Sequence, residues 1–594
     1  MSNGSLAAIG MALALGVLVV MASVPGCQRS SASFVNFPDP GLEAAIRSTI
    51  GKPTGDIHDA DLIGLTYLDA RGRGIANLEG IQHCVDLTTP LLHNNQIIDI
   101  SALSGLTSLT MLSLVNNQIT DINALSNLTN LTILDLEGNK IVDIRALSGL
   151  TNLTGLDLGS NEIVDISTLS NLTNLTGLIL DDNQIVDISA LSGLTSLTML
   201  CLVNNQITDI NALSNLTSLT ELLDLEGNKI VDISALSGLT NLTGLDLGGN
   251  EIVDISTLSN LANLTGLILD GNQIVDISAL SGLTSLTMLS LVNNQITDIN
   301  ALSNLTSLTE LLDLEGNEIV DIRALSGLTN LTGLDLGGNE IVDISALSNL
   351  TNLTGLILDD NQIVDISALS GLTSLTMLCL VNNQITDINA LSNLTSLTEL
   401  LDLGGNEIVD ISALSGLTNL TGLDLGGNEI VDISTLSNLA NLTGLILDGN
   451  QIVDISALSG LTNLTTLCLV NNQITDINAL LNLTSLTELL DLEGNKIVDI
   501  SALSGLTNLT GLDLGGNEIV DISTLSNLTN LTILDLEGNK IVDIRALLNN
   551  AGLGSGDQVD LRYNCLDLAL GSPDMLDIEA LQGRGVNVDY IPQN

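Results

Sequence analysis

LTNLTGLDLGSNEIVDISTLSN, running from Leu150 to Asn171, is the stretch that decides the fold. Its apolar set is Leu150, Leu153, Leu156, Leu158, Ile163, Ile166 and Leu169. Neither a helical period of 3.6 nor a strand period of 2 fits all seven. A coil that turns once per 22 residues can put all of them inside. One such coil cannot close its own core and must stack on copies of itself. The alternation around Leu156-Asp157-Leu158 predicts a short strand with Asp157 facing out. Stacked coils then give one parallel sheet.

Copies of this stretch fill residues 84–549 in the form LxxLxxLxLxxNxIxDIxxLxx. The twelfth position is Asn, or the thirteenth in the longer, 23-residue copies: Asn95, Asn117, Asn139, Asn161, Asn183 and Asn205 begin a series that reaches Asn539. An inward polar side chain must be hydrogen-bonded or it costs about 1–3 kcal/mol. Four residues on stands Asp, as in Asp165, Asp187 and Asp209, which predicts a cap for a short helical turn on the outer face. A column of bound cations is the sharper alternative. Calcium wants several oxygens converging in a loop such as DxDxDG, and the sequence has none.

This period and these positions identify the chain as a member of the leucine-rich repeat family, and the spacing resembles the 22-residue repeats of bacterial internalins. The resemblance implies an α/β solenoid. It would be a horseshoe or superhelix with the parallel sheet on the concave face, short helical turns outside and a helical N-terminal cap. It also implies that the Asn series forms a ladder to turn backbone.

The rest of the chain is organised around the repeats. Residues 6–26 are continuously apolar and end at Cys27, which reads as an export signal in 1–27 whose SVPGC tail resembles a bacterial lipobox. Lipidation of Cys27 and an uncleaved anchor both fit. Residues 28–33 are a polar tether. Residues 34–83 hold a short helix on Leu42, Ala45, Ile46 and Ile50, similar to the internalin cap, and a degenerate first repeat in which Arg73 replaces the ladder Asn. Pro90 falls at an inward strand position and predicts a local break or bulge. Residues 550–594 resemble a C-terminal cap.

A larger period lies over the small one. Copies of 23 residues begin at Leu216, Leu305, Leu394 and Leu483, each 89 residues after the one before. The added residue predicts a bulge ahead of the strand. Four repeats therefore make a unit, and its near-identical copies point to tandem duplication.

Charge and composition exclude some functions. The chain has 14 Lys and Arg against 69 Asp and Glu, a net charge of −55. Nucleic acid needs a basic surface, so nucleic-acid binding is excluded as a reading, whereas basic or repetitive protein partners fit. None of the five aromatics, Phe34, Phe37, Tyr67, Tyr563 and Tyr590, lies in 84–549. No catalytic spacing, phosphate loop or metal motif is present, so no enzyme, metal or cofactor is expected. His58, His83 and His93 gather near the N-terminal cap. The outward Cys201, Cys379 and Cys468 stand too far apart to bridge.

The candidate ligand-binding positions are the outward strand residues. An apolar spot of Ile179, Met199 and Val203 recurs as Ile268, Met288 and Val292 and as Ile357, Met377 and Val381, alternating with the acidic Asp157, Asp181 and Glu226. Strands about 4.8 Å apart place equivalent spots roughly 19 Å apart. The leading expectation is protein–protein interaction or adhesion by an exported, cell-surface or lipid-anchored protein attached to the membrane through its N-terminus. An extended acidic spacer without a ligand is the second reading. An intracellular scaffold similar to phosphatase-regulating leucine-rich repeat proteins is the third.

Overall fold

Leu150, Leu153, Leu158, Ile163 and Leu169 have no solvent exposure, and Leu156 and Ile166 have almost none, so one turn of chain does enclose its whole apolar set. This holds along the computed structural model, which describes residues 33–594. The export-signal reading of 1–27, Cys27 with its lipidation and nearly all of the tether 28–33 lie outside the described residues.

Each coil contributes three residues, such as Gly155–Asp157, to one sheet of 24 parallel strands among the described residues. Every strand pairs with the one from the next coil, so sequence order is spatial order. The sheet is open, and the return path on the outer side is a short 3₁₀ turn such as Ser167–Asn171. Such turns suit the sequence because Ser, Thr and Asn compete with a longer helix for backbone hydrogen bonds. The molecule is the solenoid that the repeat period implies.

Two irregularities resolve simply. Pro90 stays in its strand, buried and in register with Leu68. Proline has no N–H, and pairing with the following strand shrinks to Leu91 against Ser113. The expected break is a lost rung without a bulge. In the 23-residue coils the added residue sits just ahead of the strand, where Thr220 and Glu221 both donate to the Thr198 carbonyl. On the exit side the next coil must meet two carbonyls: Thr243 N–H donates to Thr220 and Gly244 N–H to Glu221. A Cβ at Gly244 would lie 3.1 Å from the Glu221 carbonyl, so the coil after each bulge begins its strand with glycine: Gly244, Gly333, Gly422 and Gly511.

The N-terminal end is closed by α1 (Pro40–Ile50), which buries Leu42, Ala45 and Ile46. Asp39 locks it. One oxygen accepts from Gly41 and Leu42 N–H at the start of α1, and the other from Ala76 and Asn77 N–H of the first coil. Burial would raise this carboxyl, but the four N–H donors hold it below the usual carboxylate range. At the other end α2 (Arg545–Asn549) replaces the last 3₁₀ turn, and α3 (Pro573–Gly583), capped by Ser572, carries the chain to the final strand Asn587–Asp589.

Candidate concave binding face

The two faces of the sheet are made by alternation. In Gly155-Leu156-Asp157 the leucine points into the core, while the residues on either side stand on the concave surface. Parallel register then stacks like positions from successive coils. The column through Asp157 runs Asp135, Asp157, Ile179, Cys201, then Asp224, Asp246, Ile268, Ser290, and repeats. Two carboxylates alternate with two uncharged residues every four coils.

The predicted ligand positions all lie on this face and are all half-buried: Ile179, Met199, Val203, Ile268, Met288, Val292, Ile357, Met377, Val381, Asp157, Asp181 and Glu226. Their neighbours differ. Asp181 reaches into the next coil, where it accepts from Val203 N–H at 2.8 Å, and Asp359 does the same for Val381 at 2.7 Å. Asp157 accepts from Gly159 N–H two residues on. Cys201 and Cys379, expected outward, stand on the concave side but are only 8% exposed. Flanking strand side chains cover them, and burial, with the charges of the neighbouring aspartates, pushes their thiols far up. They are inert small hydrophobes here.

Beneath this surface runs the Asn series. Asn161 Nδ2 donates to the Leu158 and Gly159 carbonyls of its own turn and to Leu136 of the preceding coil. Its Oδ1 accepts from Ile141 N–H of that coil. Asn117, Asn139, Asn183 and Asn205 repeat the set. Each rung ties two coils, which fixes the register that stacks the surface columns above it.

Stacking brings together carboxylates that the sequence holds apart. Asp135, Glu137 and Asp157 have oxygens within 4.8 Å of one another, as do Asp224, Glu226 and Asp246; Asp313, Glu315 and Asp335; Asp491, Glu493 and Asp513; and Asp535, Glu537 and Asp560. Burial is the main reason the aspartates of the first four groups titrate high, with mutual repulsion adding to it. Asp157 is pushed up to about 7 by burial and by the charges of Asp135, Glu137 and Asp181, against the Gly159 N–H that lowers it. Asp246 also rises to about 7 and Asp224 to about 6. These triplets were missed in the sequence. The signal was there: LDLEGN in one coil followed by LDLGGN in the next puts Asp, Glu and Asp at adjoining positions once register is known.

The outer aspartates behave oppositely. Asp165 accepts from Ser167 N–H at 2.8 Å, and hydrogen bonds from the Ser167 backbone and hydroxyl hold its carboxyl below the usual range. It does cap the 3₁₀ turn, from one position earlier than a standard N-cap, which is Ile166. Beside this column lies an exposed line of valines, including Val164, Val186 and Val253.

At the N-terminal end, His83 Nδ1 lies 2.9 Å from Asp59 Oδ1, and His93 Nδ1 lies 3.4 Å from Ser113 Oγ. No helix among the described residues is long and apolar enough to cross a membrane.

The comparisons with known proteins agree with this architecture. The family model "Leucine Rich repeats (2 copies)" matches in successive and mostly overlapping segments between residues 107 and 549. Internalin H of Listeria monocytogenes is 43% identical over 65 residues, which is 11% of this chain and 12% of that protein. The crystal structure of an internalin (inlF) from the same species is 32% identical and covers 69% of this chain and 95% of its own, with a TM-score of 0.41. A plant peptide hormone receptor, RGFR1 in complex with RGF2, shares the fold at 21% identity, with a TM-score of 0.57 over 89% of this chain and 97% of that one.

Proposed function

The chain belongs to the leucine-rich repeat family, and from that premise we propose that it is an exported bacterial protein that binds a protein ligand along its concave face. The observation that carries this reading is the unused surface. Ile179, Met199 and Val203 and their counterparts are not core residues, since Leu178, Leu200 and Leu202 fill the interior, yet they form half-buried apolar spots at a fixed interval. A ligand contacting several spots gains avidity from weak single contacts. Tyr, Trp and Arg, which dominate hot spots, are absent from these spots, so number of contacts rather than one anchor sets the affinity. Internalins and a peptide hormone receptor are among the proteins of this architecture, which supports a protein rather than a small-molecule ligand.

The same proposal places the protein at the cell surface as an adhesion or interaction module. Residues 1–27 direct export, and Cys27 is the attachment point if the lipobox-like tail is processed. The concave-face reading is tested by crosslinking pull-down with residues 28–594 at physiological salt, beside a variant with Ile179, Val203, Ile268, Val292, Ile357 and Val381 changed to Ser. A partner captured by the first and lost from the second is the expected result. Equal recovery from both, or none from either, replaces it with the acidic-spacer reading, which the near-identity of the four-coil units favours. Cys27 is tested separately by labelling cells with a radioactive fatty acid, label being lost in Cys27→Ser.

A further inference from the structure

Resting on the concave-face reading above, we propose that the interior carboxylate triplets are arginine sockets, and that the ligand is a protein segment presenting arginines at intervals of roughly 19 Å. A cluster of acids by itself says nothing about what it binds. This molecule, however, holds one of its own triplets in the occupied state. In the last coils Arg562 stands two residues after the strand residue Asp560 and lays its guanidinium on Glu537 and Asp560, two of the three acids of the Asp535, Glu537 and Asp560 group. Nη2 is 2.6 Å from Glu537 Oε2 and 2.5 Å from Asp560 Oδ2, and Nε is 2.8 Å from the same Asp560 oxygen. The guanidinium thus bridges two coils.

In the interior the same three acids are present without the arginine. Asp224, Glu226 and Asp246 correspond to Asp535, Glu537 and Asp560 by register. The position equivalent to Arg562 is Gly248 there, and Gly159, Gly337 and Gly515 in the other three interior groups. Glycine leaves the space above the acids uncovered. Among the described residues, no salt bridge reaches these four groups. At the opposite end Arg71 stands at the same offset after the strand residue Asp69 and pairs with it at 2.7 Å. The two ends satisfy themselves with arginine; the interior leaves that role to a partner.

Guanidinium fits better than ammonium for a geometric reason. Its planar fork offers several donors at fixed angles and can join oxygens on two strands at once, whereas Lys is a single point charge. Three interior triplets, at Asp135, Asp224 and Asp313, recur at the four-coil interval. The next is broken because Gly404 stands where Glu226 and Glu315 stand, and the series resumes at Asp491. A Cβ at Gly404 would lie 3.4 Å from Asp402 Oδ1 and 3.6 Å from Asp424 Oδ1, so a side chain fits there.

The test uses residues 28–594 and synthetic peptides of four arginines, each separated by five Gly or Ser residues, since six extended residues span about 20 Å. Comparison peptides carry Lys for Arg, or the same four arginines contiguous. The expected result is binding of the spaced Arg peptide about tenfold tighter than of the Lys peptide, a comparable loss in the triple variant Glu226→Gln, Glu315→Gln, Glu493→Gln, and a gain in Gly404→Glu. Thermal melts of each variant confirm that it is folded, and Gly404→Glu tests the idea by gain rather than loss. Equal affinity for the Arg, Lys and contiguous peptides, or no response to the Glu→Gln changes, overturns the sockets and leaves diffuse attraction. Either outcome is independent of the Ser-variant pull-down, so loss of the sockets and loss of the concave-face reading are told apart.

Discussion

The concave and outer faces each carry a column of aspartates from the same repeat, and the two columns titrate in opposite directions. Asp165 on the outer turn sits in water and accepts hydrogen bonds from Ser167, so its ionised form is favoured. Asp157 on the sheet is crowded by neighbouring strands and by Asp135, Glu137 and Asp181, so its ionised form is disfavoured. Residue type and repeat period are identical. What differs is burial and company: Asp157 is packed among strands and acidic neighbours with one N–H donor, whereas Asp165 is exposed and met by both the Ser167 N–H and its hydroxyl. The outer column is spent on local structure, and the inner one is crowded, its aspartates gaining their charge only as pH rises through about 6 to 7.

The largest effect is expected where both faces depend on one residue. Asn272 links three carbonyls to the Ile252 N–H of the preceding coil. Asn272→Leu strands those buried groups and is expected to cost about 3 kcal/mol or more in denaturant unfolding, equally at pH 5 and pH 8. A pH-dependent loss would show that the ladder and the carboxylate columns are one coupled system.

The second effect separates the faces by pH. Inner carboxyls whose folded pKa lies above the unfolded value near 3.8 contribute stability below that value and lose it as pH rises through about 6 to 7. Outer carboxyls with lowered pKa contribute stability above 3.8 and lose it as pH falls further. The melting temperature is therefore expected to peak near pH 4 and to fall by several degrees toward pH 8. Added salt should flatten part of the alkaline fall, because it screens the repulsion between charges in register but not the burial that is the larger cause. A melting temperature that keeps rising to pH 8 would refute the crowding of the inner column.

The smallest effect is the sharpest. Asp157→Asn keeps an oxygen for Gly159 N–H and removes a crowded charge, so it is expected to stabilise the protein at pH 8 by roughly 1 kcal/mol and to do little at pH 5. Asp165→Asn keeps the turn and removes a favourable charge, so it is expected to lower the melting temperature slightly at pH 8. Opposite signs for the same substitution in the same repeat would establish the comparison. Like signs would dissolve it.

Much of this molecule was legible in advance because it is built from one repeated decision. The seven apolar positions, the Asn series and the 23-residue coils each recur often enough to be read without coordinates. The expected bulge appears at Thr220 and Glu221, because an added residue in a fixed register has nowhere else to go. Pro90 was read as a break and costs a single rung, since its neighbours hold the strand in line. Cys201 was read as outward and is covered, because a short strand packed between neighbours leaves little of a small side chain to water. Residues 1–27 carry the export reading on composition alone.

Alone, the sequence determined the period, the aliphatic core, the Asn series and the four-coil unit, because each recurs along the chain and is read without knowing which coils touch. Only the tertiary structure decided what meets across turns. Asp39 joins the cap helix to Ala76 and Asn77, Gly244 makes room for the Glu221 carbonyl, and Arg562 falls on Glu537 while Glu226 faces a glycine. These contacts join residues 20 or more positions apart, and their partners are set by a register that hydrogen bonds between coils enforce. The repeat supplies the same letters everywhere, and the stacking gives them their different chemistry.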